Sequence, residues 1–274
     1  MKTYIRFLRL FLIILVLATG VPTLGLGAES MPRAKGVILF IGDGMGINQL
    51  RAAAIYSQQV FGKSLEIDSI ATRGITTTYS ADSEVTDSAA ASTALYSGYK
   101  TNNGVLNILP DGRQVFTIGH AAKKAGLSVG VVTTTRVTHA TPAGVYSRSP
   151  NRDDENFIAE QLPELELDVA MGGGLTHFIP QSREGSKRKD DKNLVEAMKG
   201  KGYKFVSSSA DLKSLDPSVT PKLLGLFAMS HMAYELDRQN VPEFKNQPDL
   251  AEITKAALSI LERNPRGFFV MIEG

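Results

Sequence analysis

The sequence predicts an α/β fold: a central, mostly parallel β-sheet with helices on both faces. Three observations carry this expectation. Short apolar, β-branched runs alternate with helix-like stretches along the chain. Two of those runs, Gly36 to Ile41 and Phe268 to Ile272, are continuously apolar, as strands buried on both faces of a parallel sheet are. Polar and glycine-rich turns follow the strands, at the edge where such sheets collect their ligands.

Taken in order, Gly36 to Ile41 reads as a buried strand closed by the tight turn Gly42-Asp43-Gly44, and Gly46 to Gln59 as a helix. Gly74 to Tyr79 is β-branched and strand-like. Asp87 to Tyr96 is a small-residue helix with Thr86, Asp87 and Ser88 as candidate caps. A helix from Phe116 to Ala125 stops at Gly126, and a strand covers Ser128 to Thr134. A loop is expected to hold His139, Thr141 and Pro142, before a helix from Asp153 to Gln161. Asp168 to Met171 is a strand running into Gly172-Gly173-Gly174. Helices are expected over 190–200 and 248–263, and Phe268 to Ile272 is the last strand, expected to lack cover on the side away from the core. No internal repeat, low-complexity segment or linker divides the chain.

Composition narrows the function classes. Of 274 residues, 43% are hydrophobic and 21% charged, enough for a sizeable core. Thirty basic and 28 acidic residues leave a net charge of +2, which argues against nucleic acid as a partner. The charged stretch Arg183 to Lys192 mixes both signs with Gly and Ser and reads as a solvated loop. Without cysteine there is no disulfide and no thiolate ligand, so any metal must be held by carboxylate, hydroxyl or imidazole.

The start of the chain has the makings of a secretory signal. Lys2, Arg6 and Arg9 surround the beginning of an apolar run, Phe7 to Ala18, and small residues follow to Ala28. That run is shorter than the ~20 residues of a membrane span. Residues 1–28 are therefore expected to be a signal peptide and residues 29–274 the functional domain. The product would be exported, periplasmic or extracellular, with no stable membrane anchor after cleavage; an uncleaved anchor is the rival reading.

Several residues could carry chemistry. Asp43, among glycines at a strand end, could hold a hard cation, although an Asx turn or a degenerate dinucleotide loop has the same spacing. Ser88 opens a helix whose N–H groups and dipole attract an anion. Thr141 offers a hydroxyl, His139 an imidazole and Arg152 a planar fork for phosphate oxygens. Singly, each is more simply a cap, a turn residue or a surface charge. His120, His177 and His231 read as helix-surface or loop residues with no ligand spacing.

Together, four stretches resemble alkaline phosphatase: ILFIGDGMG ending at Gly46, VTDSAAASTALYSGYKTNNGVLNI (85–108), VGVVTTTRVTHATPAGVYSRSPNR (129–152) and FFVMIEG (268–274). Their order and spacing match as well, and the likeness runs from about residue 35 onward. The resemblance implies a phosphomonoester hydrolase in which Ser88 takes the phosphoryl group covalently and Arg152 clamps the phosphate. Asp43 would bridge a zinc and a magnesium, with Ser88 also in the zinc environment. Thr141 and Glu273 would complete the magnesium site, and His139 would tune that site through water. It further implies retention at phosphorus, broad substrate choice and a possible homodimer.

The family's other zinc ligands, aspartates and histidines, would lie beyond Glu273-Gly274. The chain is thus expected to carry an incomplete zinc site, as part of an enzyme or as a phosphate- or magnesium-binding remnant. A nucleotide-binding oxidoreductase is disfavoured, because Gly46 comes too early for a three-glycine dinucleotide loop.

Overall fold

The structure, a computed structural model, describes residues 34–274. The expected signal peptide lies outside the described residues. Six strands form one sheet: β1 (Gly36–Ile41), β2 (Ser128–Arg136), β3 (Val169–Gly173), β4 (Tyr203–Val206), β5 (Lys222–Leu226) and β6 (Phe268–Glu273). Their order is β1-β6-β2-β3-β5-β4 and every pairing is parallel. The helices are α1 (Ile47–Phe61), α2 (Ser88–Ser97), α3 (Ile118–Lys124), α4 (Ala140–Tyr146), α5 (Glu155–Gln161), α6 (Leu194–Gly200), α7 (Ser209–Lys213), α8 (Glu235–Asn240) and α9 (Leu250–Leu261).

Strand alternation sorts the core into two layers. Val129 and Val131 of β2, with Phe269 and Met271 of β6, pack against Ala89, Tyr96, Ala122, Val145, Ile158 and Met198 from helices α2 to α6. Val132, Val270 and Ile272 face the other way, onto Ile253, Ala257 and Leu261 of α9 and Leu212 of α7. Helices therefore cover both faces, and the sheet is the expected parallel α/β core.

Several expectations change. The run Gly36 to Ile41 does form a strand, but as the outer edge of the sheet and not buried on both faces: Phe40 is 68% exposed and Val37 and Ile38 are nearly half exposed. The last strand is the reverse case. β6 lies between β1 and β2 and is buried along almost its whole length, so the uncovered apolar surface belongs to β1. Gly74 to Tyr79 takes no regular structure, because no neighbouring strand offers it a ladder.

His139, Thr141 and Pro142 do not sit in an open loop. His139 is the N-cap residue of α4, and Pro142 falls in its first turn, where the missing N–H costs nothing. The charged stretch Arg183 to Lys192 is a mostly exposed loop, as expected, with Arg188 as the buried exception. Arg188 is 4% exposed, with its guanidinium bonded to Asp190 and Glu160 and to the carbonyl of His177. Strands β4 and β5 were not anticipated: Tyr203 to Val206 is too short to show a period, and Lys-Leu-Leu-Gly-Leu fits a helix as well.

Candidate active and metal site at the carboxyl edge of the sheet

The register places three polar positions side by side. Ile41, Glu273 and Thr133 are direct partners across β1, β6 and β2, so Glu273 ends its strand beside the turn that carries Asp43. That turn is closed by Met45 N–H donating to the Gly42 carbonyl at 3.2 Å. It requires a left-handed residue after the acid, which Gly44 supplies with φ 70°. Asp43 N–H also donates to the Gly274 carbonyl at 3.3 Å, tying the turn to the end of β6.

Glu273 is fully buried. Its Oε2 accepts from the Thr133 hydroxyl and, at 3.0 Å, from the Thr135 hydroxyl. Burial pushes its pKa up, the threonine hydroxyls pull it down, and the Asp43 carboxylate pushes it up again; the net direction is upward. Glu273 Oε1 has no hydrogen-bond partner, and neither does His139 Nδ1, 3.9 Å away. Two orphaned polar atoms facing each other in a buried site need a third group between them.

Ser88 opens α2 directly after its cap. Asp87 accepts from Ala90 N–H at 2.9 Å, the N-cap bond that fixes the helix start. Ser88 Oγ donates to Asp43, 3.0 Å from Oδ2 and 3.2 Å from Oδ1, and Thr141 Oγ1 lies 3.4 Å from Oδ2. Arg152 is braced on two sides. Its Nη1 donates to Asp87 Oδ2 at 3.0 Å and its Nη2 to His139 Nε2 at 2.9 Å. Because the arginine can only donate, His139 Nε2 accepts, and the network assigns the ring proton to Nδ1. Burial, with Arg152 beside it, pulls the His139 pKa down to about 4, so the ring is neutral.

The donor set suits a hard cation. Asp43, His139 and Glu273 each bring one ligand atom within 4.8 Å of the others. Asp43, Glu273 and the Thr141 hydroxyl are all oxygen donors, the chemistry magnesium prefers. The orphaned Glu273 Oε1 is a ready ligand, whereas the His139 Nδ1–H points a proton inward and fits a water held beside a cation better than the cation itself. No further group of three His, Cys, Asp or Glu residues with metal-binding spacing occurs among the described residues.

All six residues singled out from sequence meet here: Asp43, Ser88, His139, Thr141, Arg152 and Glu273. Three partners were missed. Thr133 was read only as strand, Thr135 fell just past the expected strand end, and Asp87 was read only as a candidate cap. The spacing Thr133-x-Thr135 was the available signal, since alternate residues of a strand share a face. Of the other histidines, His177 departs from the surface position expected of it, while His231 is exposed as expected. His177 is buried, with Nδ1 2.8 Å from Asn156 Oδ1. His231 meets the His139 ring edge to face, with centroids 5.7 Å apart, and its Nε2 lies 2.6 Å from Arg136 Nη1.

A parallel sheet whose strand ends gather a serine at a helix N-terminus, a braced arginine and an oxygen-donor cluster has the donors and acceptors that suit an anion beside a cation. The chain belongs to the alkaline phosphatase family, whose profile matches residues 34–274. It is 34% identical to the tissue-nonspecific alkaline phosphatase of Homo sapiens, over 88% of this chain and 54% of that one. It is 39% identical to the repressible alkaline phosphatase of Saccharomyces cerevisiae, over 88% of this chain and 46% of the yeast protein. Among solved structures, the Thermus thermophilus alkaline phosphatase aligns with TM-score 0.80 at 38% identity, covering 88% of this chain and 50% of that one. The enzyme from the Antarctic bacterium TAB5 aligns at TM-score 0.72 and 31% identity, over 87% of this chain and 65% of the other. A variant of the TAB5 enzyme has magnesium bound. The chain thus spans about half the length of the curated relatives it matches.

Proposed function

We propose that this chain is the phosphate- and magnesium-binding part of a phosphomonoester hydrolase that works through a phosphoserine at Ser88. The observation that carries the reading is the Ser88 hydroxyl, first residue of α2, hydrogen-bonded to Asp43 with Arg152 braced nearby on Asp87. The helix N-terminus and the guanidinium fork together suit the phosphoryl oxygens. In this reading the bond from Ser88 Oγ to phosphorus forms as the ester P–O bond breaks and the alcohol leaves. Asp43, which accepts a hydrogen bond from the hydroxyl, orients Oγ for that attack, and the hydroxyl proton leaves with the alcohol. Water then displaces the serine, releasing phosphate and restoring the hydroxyl. Two in-line displacements predict retention at phosphorus and phosphoryl transfer to added alcohols.

Asp43, Thr141 and Glu273 would hold magnesium, with His139 acting through water, in keeping with the magnesium of the TAB5 variant. A bound divalent cation supplies charge to offset that on the phosphoryl oxygens. For zinc, Asp43 and Ser88 are the donors proposed among the described residues, fewer than the four of a tetrahedral site, so no step is assigned to it. Every contact named grips phosphate and none the leaving group, which favours a broad range of phosphomonoesters. No helix of the described residues is long and apolar enough to cross a membrane. Export through residues 1–28, a functional domain over 29–274 and pairing into a homodimer belong to the same proposal.

The test is treatment of the folded chain with p-nitrophenyl phosphate at alkaline pH, with magnesium and zinc, beside Ser88→Ala. A phosphoryl mass on the peptide containing Ser88, lost in the variant, is the expected result. Hydrolysis that proceeds equally well in Ser88→Ala would sink the assignment.

A further inference from the structure

Thr133 and Thr135 have no part in the function proposed above, yet both reach the buried carboxylate of the site. Parallel pairing sets Thr133 directly opposite Glu273 across β2 and β6. Its hydroxyl donates to Glu273 Oε2, and its oxygen accepts Thr135 N–H at 2.8 Å. The Thr135 hydroxyl lies 2.7 Å from Thr133 Oγ1 and 3.0 Å from the same Oε2. Thr133 is fully buried, and packing fixes its rotamer: its methyl lies against Gly172, where an added Cβ would come within 2.7 Å of it. One oxygen of the Glu273 carboxylate is thus tied to two hydroxyls, while the other, Oε1, is buried without a partner. The carboxylate has one oxygen to give.

We infer, resting on the magnesium reading above, that Thr133 with Thr135 beside it is a positioning residue that sets the site's choice of cation, magnesium over calcium. The physical reason is the number of oxygens offered. Magnesium demands a near-ideal octahedron at ~2.0–2.1 Å, into which a carboxylate fits through one oxygen. Calcium takes six to eight ligands at ~2.3–2.6 Å and readily uses both oxygens of a carboxylate. To turn both oxygens to one ion, Glu273 must give up its hydroxyl bonds, which are buried and made to a charged group. Through Oε1 alone it meets the smaller ion without that loss. Asp43, the other carboxylate of the cluster, is exposed and can adapt to either ion, so the buried and tied Glu273 is the one that discriminates.

The test is calorimetric titration of the full, metal-free chain with magnesium chloride and, separately, calcium chloride, with melting temperatures taken on the same samples. Wild type should bind magnesium more tightly than calcium. Thr133→Val keeps the shape and the methyl on Gly172 but removes the hydroxyl and frees Oε2. The ratio of the calcium to the magnesium dissociation constant should then fall by roughly tenfold, the size of one hydrogen bond to a charged group. Thr133→Ser restores the hydroxyl and should return most of the ratio. Thr135→Val, at a half-buried position, should shift it the same way by less. A merely structural role would lower the melting temperature and weaken both ions alike. An unchanged ratio in folded Thr133→Val, or a serine variant no better than the valine one, would overturn this role for Thr133. Should Thr133→Val not fold, an unchanged ratio in Thr135→Val overturns it instead. Wild type that binds no magnesium overturns the magnesium reading and this role together, whereas wild type that binds it with unchanged variants overturns this role alone.

Discussion

Asp87 shows how one side chain serves two parts of the site. Its carboxylate caps α2 through Ala90 N–H, accepts Gly104 N–H at 2.9 Å and holds Arg152 Nη1. Burial raises its pKa, but the bonds from Ala90, Arg152 and Gly104 outweigh that, and the net direction is down. A carboxylate with a depressed folded pKa contributes stability that is present above its unfolded value of 3.8 and is lost as pH falls through the folded one. Two substitutions separate the roles. Asp87→Asn keeps a good cap but removes the charge, so thermal stability at neutral pH should fall by the contribution the carboxylate makes there. Binding of inorganic phosphate, measured by calorimetry, should weaken about tenfold as Arg152 loses its charged brace. Asp87→Ala should lose the cap as well, at about 1 kcal/mol in urea unfolding. Equal phosphate affinity in wild type and Asp87→Asn would mean that Arg152 does not depend on this contact. At this scale the sequence was most legible where a motif named the residue, as at Ser88, Arg152 and Glu273. It was least legible for supporting contacts such as Thr133 and Thr135, which pair with a glutamate 140 and 138 positions away.

Elements were legible where their signals are local. Asp87 and Gly126 mark a helix start and a helix stop within a residue or two of where they occur. Position within the sheet was not legible, because a continuous apolar strand reads the same at an edge as at the centre; β1 and β6 carry near-equivalent patterns and opposite burial. Two predictions belong here. On α3, burial and the nearby Arg148 pull the His120 pKa down to about 4 from the usual 6.5. Between those values the unfolded chain binds more protons than the folded one, so His120 adds stability that is full above pH 6.5 and drains away toward pH 4. The melting temperature should therefore rise across that window, and His120→Gln should flatten the rise; an unchanged slope would rule out this histidine as the cause. The second prediction concerns close packing at β3. A Cβ on Gly173 would lie 1.9 Å from the Ser230 carbonyl oxygen, whereas one on Gly200, at the end of α6, meets nothing within 4 Å. Gly173→Ala should cost about 1–3 kcal/mol or more in urea unfolding. Gly200→Ala should be neutral or stabilise by up to about 1 kcal/mol.

Over the described residues as a whole, stability is distributed unevenly. The mixed-charge stretch from Arg183 to Lys192 reads from sequence as a solvated loop. Yet Arg188 anchors it to Asp190 and Glu160, and Lys192 pairs with Glu160 at 2.8 Å. The region after α1 has no such anchor. From Gly62 to Tyr79 the backbone forms only a short 3-10 turn, Glu66–Ser69, and almost every residue is exposed. Local opening costs least where buried contacts and backbone bonds are fewest, so native proteolysis should begin there. Lys63 and Arg73 both lie in that stretch and both are exposed. Brief treatment with trypsin should cut at one or both of them before any bond between Arg183 and Lys192. The nicked pieces should then stay together on gel filtration, because β1 remains laddered to β6 from Gly36–Phe268 to Ile41–Glu273. First cuts in the 183–192 stretch would mean that the Arg188 network does not hold the loop. Immediate separation of the pieces would mean that the β1–β6 ladder is too weak on its own to keep Asp43 beside Glu273.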